Sequence, residues 1–502
     1  MRIKCGGIYM YCSPILLVID PECIREVLAK SFQSFHERGF YNSEKYQPIS
    51  ANLFSMEGER WKSLRTKFTP TFTSAKMKIM FKSMVDAGEL LDKHVAEFAA
   101  AKRPINMKEC STRAVTHIVA NCAFGVECFK DNIIQTVITE SVNAATTFVK
   151  LSFCNAMPKL AEFLRVPLIP NKYVRFLTSY MDETIRHRKV NNIVRNDFLQ
   201  LAIDMEDKKV ISMDELRAQC VMFFLAGSES TANTTTFLLF ELAYNQDVQQ
   251  KLRDEILNVL ARDNGVVTYE GVMNMKYLDM VCCENLRKYA TVGFLNRKCV
   301  ADFKLPNTDI TIEKGTKIIV PVYALHNDPM YFPNPEKFDP ERFSDENRSN
   351  IIPGTYLPFG EGPRYCIGER FARLVIKAIV VSFIRKYKFE LNREVKYPLV
   401  LNPTVAKETT IVHSSSQLNS QEKLQPILYT RPRLPRYTYL EVNLNNQYEY
   451  VPKIEVEKAT NSVQLLGGYC HNDCKSYNSY KTPQSLCQAS ATKNRNELKI
   501  YF

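Results

Sequence analysis

Phe359-Gly360-Glu361-Gly362-Pro363-Arg364-Tyr365-Cys366-Ile367-Gly368 sets one cysteine between glycines, beside an arginine and just ahead of a helix-like run that starts at Glu369. The thiolate is the form of cysteine that ligates metals, and a helix N-terminus or a neighbouring arginine lowers the pKa that governs it. The spacing therefore predicts a lowered pKa at Cys366. Glycines at Gly362 and Gly368 let backbone N–H groups come close to the sulfur and permit φ > 0. Such a cysteine suits a soft metal centre, haem iron held by a thiolate being one case. A buried structural cysteine in a turn is the alternative.

Three other groups have types and spacing that invite chemistry. Glu284-Asn285-Leu286-Arg287 puts an acid and a base on one helix face, where i and i+3 are neighbours. Taken alone, a solvated surface pair is the commoner reading of such a segment. Val221-Met222-Phe223-Phe224-Leu225-Ala226-Gly227-Ser228-Glu229-Ser230-Thr231 is apolar on every side before it turns polar. A helix that is apolar all round is normally buried, and Gly227, Glu229 and Ser230 are costly there. Either the helix emerges into solvent, or it is a kinked core helix beside a cofactor. Trp61-Lys62-Ser63-Leu64-Arg65 holds the single tryptophan of the chain. Its indole N–H and the guanidinium, at i and i+4, are two donors on one face suited to a carboxylate; a core tryptophan with a surface arginine is the alternative.

The complete pattern Phe-x-x-Gly-x-Arg-x-Cys-x-Gly resembles the haem-binding loop of the cytochrome P-450 family, and the other groups match that family's segments in chain order. The resemblance runs from about Gly7 to Pro403, and the runs Phe68-Thr69-Pro70-Thr71-Phe72-Thr73 and Tyr323-Ala324-Leu325-His326-Asn327-Asp328-Pro329 are similar to its microsomal insect branch. What the resemblance implies is haem b, with Cys366 as the axial thiolate and Phe359 and Arg364 in its loop. Trp61, Arg65, Arg297, Arg364 and Arg38 are implied to hold the haem propionates. Glu284, Arg287 and Arg342 are implied to form a buried network that locks the cysteine loop and retains haem. Gly227, Glu229 and Ser230 match the oxygen-binding helix, with Ser230 at a threonine position, so that the hydroxyl is kept and the methyl is lost.

These residues need elements to hold them. Short β-like runs at Gly7–Tyr11 and Ile15–Ile19 precede an overwhelmingly helical pattern from about Met56 to Leu286, and β-like pieces return between Val292 and Val322. The expected fold is mainly α with a small β-sheet subdomain, the cytochrome P-450 fold, enclosing haem between a long central helix and the cysteine loop. The haem domain is expected over residues 1–404, lacking the family's N-terminal membrane anchor. Residues 405–502, rich in Ser, Asn, Gln, Lys and Tyr, read as a poorly ordered tail. No run reaches the roughly 20 apolar residues of a membrane-spanning helix. The 15 cysteines are scattered and odd in number, which favours reduced thiols. Cys470-His471-Asn472-Asp473-Cys474 has too few ligands for a convincing metal knuckle.

The net charge of +12 points to an acidic partner or an anionic membrane surface, and no nucleic-acid motif accompanies it. Basic residues Arg60, Lys62, Lys67, Lys76 and Lys78, with Arg370, Arg373, Lys377, Arg385, Lys386 and Lys388, flank the tryptophan and cysteine segments. Under the resemblance they form a basic cysteine-side face for an NADPH-dependent cytochrome P-450 reductase. The implied activity is monooxygenation of lipophilic small molecules such as xenobiotics, hormones or other lipids, with Glu229, Ser230 and water relaying protons. The implied place is the endoplasmic reticulum membrane, through peripheral contact. Ala290-Thr291-Val292-Gly293 replaces a usually proline-bearing stretch that shapes the pocket, and no terminal β-hairpin is recognisable after Pro403. A haem protein impaired in turnover by altered ends, and a non-haem helical interaction protein, are the alternatives.

Overall fold

The two N-terminal β-like runs pair as a hairpin, β1 (Cys5–Met10) lying antiparallel to β2 (Ser13–Val18). The computed structural model of the chain describes residues 4–101, 103–129, 132–392, 395, 397–399, 411–417, 441–442 and 448–449. After the hairpin come α1 (Gly58–Phe68), α2 (Ser74–Ala100), β3 (Ile105–Asn106), α3 (Met107–Val119), α4 (Asn132–Thr146) and α5 (Phe148–Ala156). Then follow the long α6 (Met213–Tyr244), α7 (Lys276–Lys288), β4 (Leu295–Lys298) and β5 (Lys317–Val320). The cysteine loop leads into α8 (Glu369–Ile384), β6 (Tyr387–Leu391) and β7 (Ile411–Gln417). Helix dominates, as the periodicity predicts.

One sheet has the order β1-β2-β5-β4, with β2 parallel and β4 antiparallel to β5. Arg297 sits opposite Ile318 in that register and is buried, while Asn296 and Lys298 on either side keep partial exposure. This alternation follows from the two-residue period of a strand. Val18, Ile24, Phe35, Cys299, Ile318 and Val320 give this sheet its own core, and the helices share a larger one.

The second sheet places β7 between β3 and β6, antiparallel to both. β7 falls in the stretch expected to be tail. Its serines hide it from an apolar-periodicity reading, but a central strand is held by backbone hydrogen bonds on both edges, which any side chain permits. The chain divides into two units, Met1–Tyr429 and Thr430–Phe502, and β7 belongs to the first. In the second, Glu441–Val442 pairs with Tyr448–Glu449. The remainder of the expected tail, with Cys470 to Cys474, lies outside the described residues.

Helix α6 is the spine of the molecule. It opens on a capping box in which Ser212 Oγ accepts from the Glu215 N–H (3.1 Å) and the Glu215 carboxylate accepts from the Ser212 N–H (2.9 Å). Glu215 also accepts from Arg60 (2.8 Å), which ties α6 to α1. The helix runs uninterrupted from Met213 to Tyr244 and is buried along most of its length, so it does not emerge into solvent. Three of its buried hydroxyls are satisfied from within, Thr234, Thr235 and Thr236 each donating to the carbonyl four residues back at 2.8–2.9 Å, while the buried Ser228 Oγ has no partner among the described residues. Gly227 faces α3, where an added Cβ would meet Val119 at 3.4 Å, so it permits close helix packing.

Candidate active site

Carbonyl and glycine geometry shape the cysteine loop. The Cys366 N–H donates to the Phe359 carbonyl (2.9 Å), and Gly360 and Gly362 adopt φ of +79° and +73°. A Cβ on Gly362 would collide with the Leu28 carbonyl, so this turn requires glycine. Gly368, at φ −89°, brings its N–H to the Cys366 sulfur without using the left-handed region. The expected depression of the Cys366 pKa is overturned. Burial dominates and pushes the thiol up, against the opposing effects of the Gly368 N–H, Arg38 and Arg65. Yet the Cys366 side chain keeps accessible surface. A side chain that protein desolvates without covering lines an internal hollow.

Behind the loop stands the acid–base pair. Glu284 and Arg287 are both fully buried and meet in a bidentate pair at 2.7 and 2.8 Å. Arg287 also donates to the carbonyls of His326 (2.8 Å) and Pro335 (2.7 Å), and the Asp339 N–H donates to Glu284 (3.0 Å). Arg342 adds a longer ionic contact to Glu284 at 3.4 Å and donates to the Asn334 carbonyl. Burial raises the Glu284 pKa, with Arg287 opposing. Glu284, Arg287 and Arg342 thus meet in one cluster.

Sequence reasoning quoted His326 only within a longer run and missed its role. Its Nε2 accepts from the Leu357 N–H (2.8 Å), its Nδ1 faces the Arg287 carbonyl (3.2 Å), and its ring stacks on Tyr356. It joins α7 to the strap that leads into the cysteine loop. Burial holds it neutral, with a pKa lowered to about 4.

The four arginines expected at one site lie close enough to repel one another. Arg364 is stacked over Trp61 at 3.8 Å and donates to the His36 and Met56 carbonyls. Arg38 donates to the Phe54 and Arg364 carbonyls, and Arg65 lies over the Tyr365 ring at 4.8 Å. Arg297 donates to the Asn296 carbonyl. Among the described residues no carboxylate pairs with any of the four, and the buried Arg297 Nε and Arg364 Nη1 lack acceptors. Desolvation, then mutual repulsion, pulls Arg364 down to about 8 and Arg297 to about 9; desolvation brings Arg38 to about 10, with Cys366 opposing and Arg65 adding to the fall. A cluster of this kind fits an anion that arrives from elsewhere.

On α6 the face bearing Ala226 and Ser230 is the open one: Ala226 is exposed although Phe224, Leu225, Ser228 and Glu229 are buried. Ser230 Oγ donates to the Ala226 carbonyl at 2.5 Å. Glu229 is held elsewhere, accepting from Lys108 Nζ (2.6 Å) and Thr139 Oγ1 (3.1 Å). Lys108 also binds Asn233. The sequence places Glu229 and Ser230 side by side; the structure gives them different partners.

The chain matches the family model described as Cytochrome P-450 over residues 4–414. The chain belongs to the cytochrome P-450 family. It is 37% identical to "Probable cytochrome P-450 6a13" of Drosophila melanogaster, over 78% of this chain and 81% of that relative. It is also 37% identical to "Cytochrome P-450 6j1" of Blattella germanica (79% and 81% covered) and 35% identical to "Cytochrome P-450 9e2" of the same species (79% and 82%). As a cytochrome P-450 it is a haem-thiolate monooxygenase supplied with electrons by a reductase. The residues fit that group. Cys366 offers a thiol in a hollow, and Arg38, Arg65, Arg297 and Arg364 are cations without carboxylates, as two propionates require.

The expected basic face is less basic than its composition. Arg60 pairs with Glu44 and Glu215, Lys78 with Glu270, Lys377 with Asp279, Lys386 with Asp92, and Arg373 with Glu369. Lys67 and Arg370 have no carboxylate partner among the described residues. Within those residues no helix is long and apolar enough to cross a membrane.

Proposed function

We propose that this cytochrome P-450 oxidises lipophilic small molecules with NADPH-derived electrons while resting on the cytosolic face of the endoplasmic reticulum membrane. The observation that carries the reading is the pairing of the Cys366 hollow with four arginines that lack carboxylates, which together suit a bound haem. When bound, the haem supplies oxygen activation, and the thiolate donates electron density that favours O–O cleavage. The chain's own part is to hold Cys366 and the propionates, to keep the Ala226–Ser230 face open to an apolar substrate, and to hold a proton at the Ser230 hydroxyl, next to a Glu229 carboxylate that Lys108 and Thr139 keep in place.

Apolar surface supports the membrane contact. Tyr9 (78% exposed) on the hairpin and Val149 (66%) and Phe163 (80%) beyond it lie on connected elements, since Tyr11 packs on Phe153 and Ser13 Oγ donates to the Ala156 carbonyl. For the reductase, Lys67 and Arg370 are cations left free to meet an acidic partner on the cysteine side, so the steering is weaker than the composition suggests.

The test is a CO-difference spectrum of the reduced, haem-loaded protein, followed by NADPH consumption with reductase and a lipophilic probe. A thiolate-type Soret band with product formation is expected. Absence of bound haem would sink the reading, and a thiolate band without product would favour a haem protein that does not turn over.

A further inference from the structure

We propose that Thr291, in the stretch where a proline was expected, is a positioning residue that clamps one wall of the substrate pocket to α6 through its hydroxyl. The inference rests on the monooxygenase reading above and concerns how that pocket gets its shape.

The segment after α7 is stitched along a single stripe of α6. Asn285 Nδ2 donates to the Thr234 carbonyl (3.0 Å), Tyr289 stacks flat on Phe237 (4.6 Å, 9°), and both Tyr289 Oη and Lys288 Nζ bind Glu241. Positions 234, 237 and 241 fall on one helix face. The last stitch before the chain leaves α6 is Thr291 Oγ1 to Thr234 Oγ1, at 2.9 Å. Its direction can be deduced. Thr234 has one hydroxyl proton, already donated to the Ser230 carbonyl (2.9 Å), so Thr291 must be the donor. The same Ser230 donates to Ala226, which puts the clamp one helical turn from the open face of α6.

Thr291 is itself exposed, and beyond it the chain turns apolar, with Val292 at 54% and Phe294 at 39% exposure. It is next fixed where the Gly293 carbonyl accepts from the Tyr323 N–H (3.0 Å) and where Leu295 borders Gly360 of the cysteine loop. Val292 and Phe294 thus lie on an exposed apolar stretch strung between α6 and the cysteine loop, with one hydroxyl bond at its α6 end. A proline would stiffen this stretch through its ring; here a side-chain hydrogen bond does so.

The test compares Thr291→Val, which keeps the shape and loses the donor, with Thr291→Ser, which keeps the donor, and with Thr234→Val. The haem-loaded protein is assayed with reductase on 7-ethoxycoumarin and on lauric acid, and amide exchange is followed over residues 292–295. Thr291→Val is expected to change the KM ratio of the two probes about five-fold, the worth of one hydrogen bond, with kcat and the reduced-CO band little changed. Exchange over 292–295 should quicken. Thr291→Ser should match the parent, and Thr234→Val should reproduce Thr291→Val without adding to it in the double variant. The clamp is overturned if Thr291→Val leaves both exchange and the KM ratio unaltered, or if Thr291→Ser is as damaging as Thr291→Val. A parent protein without a thiolate-type band would instead sink the monooxygenase reading, while the exchange measurement still judges the clamp.

Discussion

The two sides of the hollow are held by different kinds of bond. On the cysteine side, Glu284, Arg287, His326 and the glycines of the loop form a buried network in which each group has several partners. On the α6 side, ion pairs anchor Glu229 and Glu241, but around the open face single hydroxyl bonds do the fixing: Ser230 to Ala226, Thr234 to Ser230, Thr291 to Thr234. A single neutral hydrogen bond contributes about 1 kcal/mol, whereas removing one member of a buried ion pair costs about 3–5 kcal/mol. One side therefore tolerates almost no change, while the other can be reshaped one hydroxyl at a time without loosening the grip on the cofactor.

The contrast is broken most directly by Glu284→Ala. It strands Arg287 as a buried, uncompensated cation and is expected to cost about 3–5 kcal/mol, read as a lower denaturant midpoint with loss of haem content. If that variant retained haem and parental stability, the cysteine side would be no more tightly determined than the α6 side. Gly362→Ala comes next. Its strained φ and the clash with the Leu28 carbonyl are expected to cost roughly 3 kcal/mol, read in the same unfolding curves.

A smaller effect is expected from pH. His326 binds its proton only near pH 4 in the native state against 6.5 ordinarily, so between those values the unfolded chain holds more protons. Stability then rises with pH across that window and is lost as pH falls from about 6.5 toward 4. Unfolding curves of the parent and His326→Asn at stepped pH check this: the difference between them should narrow as the medium becomes acidic, and a constant difference would count against it. The smallest effect belongs to the α6 side. Ser230→Thr adds one methyl beside an unchanged hydroxyl and should alter stability by less than about 1 kcal/mol. It is expected to raise the ratio of product formed to NADPH consumed, and an unchanged ratio would mean that the lost methyl has no part in coupling.

Much of this was legible because it is written in local spacing. The Cys366 loop, the Glu284/Arg287 pair and the Trp61/Arg65 helix each sit within a few residues, and periodicity alone gave the helical body. What escaped depends on distance in sequence. Nothing near His326 announces that the Leu357 N–H will find it, nothing near Glu229 announces Lys108 on another helix, and Thr291 meets Thr234 across 57 positions. Strand β7 was missed for another reason, since backbone pairing leaves little trace in a run of serines. The Cys366 pKa was misread because the arginine and the helix start are visible in sequence, whereas the burial that outweighs them is not.

The arginine cluster has a consequence for the life of the protein in a cell. Until an anionic cofactor arrives, Arg38, Arg65, Arg297 and Arg364 repel one another inside the fold, so the unloaded chain opens there more readily than the loaded one. Whatever binds only the native state stabilises it by mass action. Cells count unfolded fractions through proteases, and small changes in stability alter abundance several-fold. Haem supply would thereby set how many copies survive as well as how many are active.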